Sequence, residues 1–64
     1  MVDELIVESI NYSVGKIIIF WDLAGRRFEG KVLATSEEFM KYFDLHRNCE
    51  RFVKFSDIRE AEIK

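Results

Sequence analysis

Lys16-Ile17-Ile18-Ile19-Phe20-Trp21-Asp22-Leu23 is the stretch whose reading decides the fold. Ile17, Ile19, Trp21 and Leu23 share one parity, and Ile18 and Phe20 take the other. Side chains alternate across a strand, so apolar residues on both parities mark a strand covered on both faces. Its unbroken apolar run, Ile17 to Trp21, is far short of the roughly 20 residues that a membrane-spanning helix needs.

Working outward, Ala24-Gly25-Arg26 makes a tight reversal in which Gly25 can take positive φ without steric cost. Arg27 to Thr35 returns with alternation, placing Phe28, Gly30, Val32 and Ala34 on one side. Gly30 inside that strand reads as a bend or bulge, a device small barrels use to let one strand serve two sheets. On the other flank, Leu5 to Tyr12 is rich in β-branched residues, with Ile6, Ile10 and Tyr12 in phase, and reads as a first strand. Ser13-Val14-Gly15 supplies the turn.

Thr35-Ser36-Glu37-Glu38 has the form of a capping box, and Phe39 and Phe43 would share a helix face. The aromatic content of Phe39 to Leu45 fits a strand equally, and the two readings stay open. His46 to Glu50 is a polar reversal, Arg51 to Phe55 a strand, Ser56-Asp57-Ile58 a helical turn, and Ala61 to Ile63 a short edge strand. The expected fold over 1–64 is one mainly β domain, a small five-stranded bent-sheet barrel with one short helix or helical turn. The alternative is an α+β open antiparallel sheet with a helix over Thr35 to Phe43 packed across one face.

Of the 64 residues, 48% are hydrophobic and 14% aromatic, which argues against disorder. A domain this size buries only about 60% of its unfolded surface, so aromatic packing or a partner must supply the balance. Cys49 is single, which excludes an intrachain disulfide and makes a reducing cytoplasm the expected compartment. No basic-then-apolar leader of signal-peptide type opens the sequence.

Catalytic chemistry is not legible. His46 and Cys49 are three residues apart in a polar turn, with nothing nearby to form an oxyanion hole. Two potential ligands are too few for a structural zinc. Gly15, Gly25 and Gly30 match no nucleotide fingerprint, and Glu37 and Glu38 suit a helix N-terminus better than an acid–base pair. The expectation is no enzyme, no cofactor, no metal and no small-molecule substrate.

Net charge is −2, yet it alternates: −3 over residues 1–15, +2 over 16–35, −2 over 36–45, +2 over 46–55 and −1 over the rest. The basic share lies in Arg26, Arg27 and Lys31, and in Arg47, Arg51 and Lys54. Side by side, these would form one basic patch flanked by Trp21, Phe28 and Phe52, the composition that single-stranded nucleic acid uses for stacking and phosphate pairing.

Phe28-Glu29-Gly30-Lys31-Val32 resembles the aromatic-x-Gly-x-aliphatic strand of the Sm-like small barrels, a group of ring-forming RNA-binding proteins related in shape to SH3-like barrels. Phe52-Val53-Lys54-Phe55-Ser56-Asp57-Ile58 resembles their second motif in its aliphatic, basic and final Ile positions. The resemblance implies a bent five-stranded barrel. Of the family's RNA pocket only the stacking aromatic and one positive charge remain: Ser36 stands where the family has Asp, Phe39-Met40 replaces the stacker and its Asn, and Lys54-Phe55 replaces Arg-Gly. The family's N-terminal helix corresponds here to the expected first strand.

Three functions follow as expectations. The first is a non-catalytic module acting through protein contacts or self-association, with the first and last strands as edges and Asp3, Glu4, Glu8, Glu60 and Glu62 steering a basic partner. The second is single-stranded RNA or DNA binding through Arg26, Arg27, Lys31, Arg47, Arg51, Lys54 and Trp21. The third is a small acidic regulator of a nucleic-acid-binding protein. None involves a membrane.

Overall fold

A computed structural model describes residues 4–64. The order is helix α1 (Glu4–Asn11), strands β1 (Ile17–Asp22), β2 (Arg27–Thr35), β3 (Phe39–Asp44) and β4 (Cys49–Lys54), a 3-10 turn over Phe55–Asp57, and β5 (Ile58–Ile63). All pairings are antiparallel, in the sheet order β4-β3-β2-β1-β5.

β1 is the expected interior strand, although its second face is only partly covered and Leu23 falls outside it, 64% exposed. Ile18 and Phe20 are fully buried on the core side, and Ile19, on the other parity, is only 9% exposed. Phe20 stacks on Phe28 with ring centroids 5.1 Å apart and meets Tyr42 edge-on at 5.2 Å. Val32, Met40, Phe55 and Ile58 complete the core, with Ile10 entering from α1. The β1–β2 hairpin turns on Gly25, whose φ is +82°. Asp22 fastens that turn by accepting the N–H groups of Ala24 and Arg26.

The barrel expected from the sequence, and implied by the Sm-like and SH3-like resemblance, is not formed. β4 and β5 stand at the two edges of an open sheet, with no ladder between them. Cover comes instead from α1, which packs on β2 and β5, and from Phe55 in the turn between the edge strands. The architecture is the open antiparallel sheet with one helix, although that helix lies elsewhere than Thr35 to Phe43.

Leu5 to Tyr12 is accordingly helix, not a first strand. Ile6, Val7 and Ile10 form one apolar stripe at helical spacing, with Ile10 completely buried. Tyr12, in phase with Ile6 and Ile10 in the strand reading, is 83% exposed. The chain leaves α1 through Ser13, whose Oγ donates to Ser9 O, and Gly15 N–H bonds Val32 O, tying the connection to β2.

The helix reading of Thr35 to Phe43 fails as well. Ser36 Oγ accepts the Phe39 N–H at 3.2 Å to open β3, whose Met40, Tyr42 and Asp44 point inward in strict alternation. The expected edges are corrected too: the last strand is an edge, but β4 is the other.

Gly30 is not the bulge, which falls between Val32 and Ala34. A Cβ at Gly30 would sit 2.6 Å from Phe43 O and 2.7 Å from Tyr42 Cδ2. The glycine lets β3 approach β2.

Candidate nucleic-acid interface

Asp44 organises the turn between β3 and β4. It is 1% exposed and accepts N–H bonds from His46 and Arg47 at 2.9 and 3.0 Å. Arg47 Nη1 lies 3.4 Å and Arg51 Nη1 3.9 Å from its Oδ2. Burial pushes this carboxyl up, but the Arg47 and His46 amides and the Arg47 guanidinium outweigh it and hold the group below the ordinary carboxylate range. Asn48 closes the turn with φ +59°, and His46 and Cys49 lie exposed at its rim.

β4 then carries two different faces along one open edge. Arg51 and Val53 point to the core side, where Arg51 is opposite Tyr42. Here β4 faces the β1–β2 hairpin across a cleft of about 310 Å³. Arg26 and Arg51 line it together with Asp22 and Asp57 and the rings of Phe28, Tyr42 and Phe52. Burial raises the Tyr42 hydroxyl above its ordinary pKa, so it remains protonated at neutral pH. Arg26 Nε is 2.8 Å from Asp22 Oδ2, and the Arg26 backbone amide, first among several groups, holds the Asp22 carboxyl below its usual range.

On the outer face, register sets Lys41 opposite Phe52 and Lys54 opposite Phe39. Lys41 Nζ lies 6.0 Å from the Phe52 centroid, and Lys54 Nζ 5.9 Å from that of Phe39. Phe52 is 67% exposed and Phe39 38%. Between the rings is a small apolar hollow of about 130 Å³, lined by Ala34, Thr35, Phe39 and Phe52 among others. Phe52 borders both this hollow and the larger cleft, so the two form one surface wrapped around the β4 edge.

Of the basic residues expected from the sequence, Arg26, Arg51 and Lys54 belong to this surface. Arg47, held in the turn by Asp44, lines neither hollow. Arg27 pairs with Glu29 at 3.5 Å, and Lys31 is opposite Ile17 and Phe43. Trp21 sits between Arg27 of β2 and Glu60 of β5, away from the β4 edge. The six cations therefore do not make one patch.

Among the acids, Glu60 and Glu62 are exposed on β5, opposite Trp21 and Ile19. Glu4 and Glu8 are exposed on α1, and Asp3 lies outside the described residues. Lys41 was not singled out from the sequence, and Phe39 entered only on a helix face and at the stacking position of the Sm-like resemblance. Their signal is a repeated Phe-x-Lys, at Phe39-Met40-Lys41 and Phe52-Val53-Lys54, which antiparallel pairing turns into two Phe–Lys contacts.

No group of three or more His, Cys, Asp or Glu among the described residues is placed to hold a metal, and no described helix is long and apolar enough to cross a membrane. Compared with known proteins, the chain matches no family model and no curated relative.

Proposed function

We propose that this protein is a non-catalytic module that binds single-stranded RNA or DNA across the β4 edge. One observation carries the reading: Phe39 and Phe52, each exposed and each under a lysine, continue through Phe52 into the cleft of Arg26 and Arg51. Exposed rings on a sheet offer stacking platforms to unpaired bases, and the flanking cations meet the phosphates. The test is fluorescence anisotropy of a labelled single strand of about 12 nucleotides, a length within the range such sites occupy. Binding is expected at low salt, and Phe39→Ala and Phe52→Ala each weaken it by about tenfold. No binding at low salt, or full affinity in both variants, overturns the reading. Trp21 emission is a poor readout, because Trp21 lies away from the surface.

A second reading, protein contact by strand addition, is favoured by the two open edges. β5 presents Arg59, Glu60 and Glu62, and charges of this kind blunt an edge against indiscriminate pairing. A partner strand there needs matching charge. Strand addition at β5 leaves the β4 surface open, so a partner that protects β5 amides from exchange without displacing the oligonucleotide would identify it.

A further inference from the structure

α1 presents a groove of about 550 Å³ lined by Glu4, Leu5, Val7, Glu8 and Glu37. Its lining mixes two apolar side chains, Leu5 (74% exposed) and Val7, with the three carboxylates of Glu4, Glu8 and Glu37. Glu37 also borders a second hollow, shared with Glu38, Lys54 and Ser56. The acidic groove is therefore next to the lysine–phenylalanine surface on the same molecule. One patch combines apolar side chains with carboxylates, and its neighbour has exposed rings and ammonium groups.

We propose that the occupant of the α1 groove is a second copy of this chain, in a two-fold dimer. Adjacent patches of opposite charge are self-complementary under a two-fold axis, because each contact made by one copy is returned by the other. In that dimer Phe52 and Lys54 of each protomer face Leu5 and Glu8 of its partner. The dimer covers the surface assigned above to nucleic acid, so an oligonucleotide and the second protomer compete. The dimer itself does not depend on that assignment and is tested without nucleic acid.

The experiment is light scattering on the full chain at low salt, from about 10 µM to 1 mM, the range of a weak association. The parent chain is expected to pass from monomer to dimer, and Glu8→Lys and Lys54→Glu each weaken the association at least about tenfold by setting like charges together. Both side chains are exposed, and circular dichroism checks that each variant is folded. Mixing the two variants sets opposite charges against each other at both contacts of the mixed pair, and restores the dimer. Glu4→Lys repeats the test from the other rim position. A parent that stays monomeric, single variants that associate as the parent does, or a mixture that fails to recover would overturn the proposal. Association unchanged by all the charge variants assigns it to the strand edges instead.

Discussion

At the scale of single residues, Gly30 and Asp44 carry constraints that no neighbour can take over. Gly30→Ala forces a methyl group against Phe43 O and Tyr42, and the first of these is backbone that cannot rotate away. The expected cost is about 2 kcal/mol, read by urea denaturation. Asp44→Ala removes the acceptor for two turn amides and the partner of Arg47 and Arg51, at a cost of about 2 kcal/mol. Because the folded-state pKa of Asp44 lies below its unfolded value, protonation favours the unfolded chain. Its contribution is complete above the unfolded pKa of about 4 and is lost as pH falls through the folded one. Glu29, held low first by its hydrogen bond from Lys64, acts in the same direction. Melting curves between about pH 7 and pH 3 should show a steep acid loss, and Asp44→Asn should flatten it by removing one titrating group.

Among the elements, α1 does the covering that barrel closure would otherwise do. Ile10→Ala should therefore cost about 3 kcal/mol, as for an aliphatic side chain truncated in a close-packed core, and a thermal melt reads the loss. A helix that merely decorated the sheet would tolerate the change. α1 was hard to read because Ile6 and Ile10 are four apart, a spacing in phase for both a helix and a strand. Val7 settles the matter by packing on the core beside Ile6, a contact that alternation forbids. The same spacing of Phe39 and Phe43 left β3 ambiguous, although Met40, Tyr42 and Asp44 are the residues that turn inward. β1 and the Gly25 hairpin were legible because their signals are local: apolar residues on both parities and a glycine at positive φ. Closure was not legible, since it depends on a ladder between β4 and β5 that no single segment encodes. Nor was the pairing of Phe39 with Lys54, which exists only once β3 and β4 are in register.

For the molecule as a whole, a net charge of −2 offers no general attraction to nucleic acid, so binding must be local. Arg26, Lys41, Arg51 and Lys54 are the cations of the β4 surface. If three or four of them meet phosphates, log affinity for a single strand falls with log salt at a slope of about −2 to −3. Anisotropy titrations across salt concentration measure that slope directly, and Lys54→Ala should reduce it by about 0.7. Arg27→Ala, on the far part of the sheet, should leave it unchanged. The most direct measurement is an amide NMR titration of the whole chain with an unlabelled single strand at low salt. The account predicts shifts gathered on β4, on Phe39 to Lys41 and on the Asp22 to Arg26 turn, with β5 and Trp21 unmoved. Shifts confined to Trp21, Arg27 and Lys31, or no shifts at all, would contradict it.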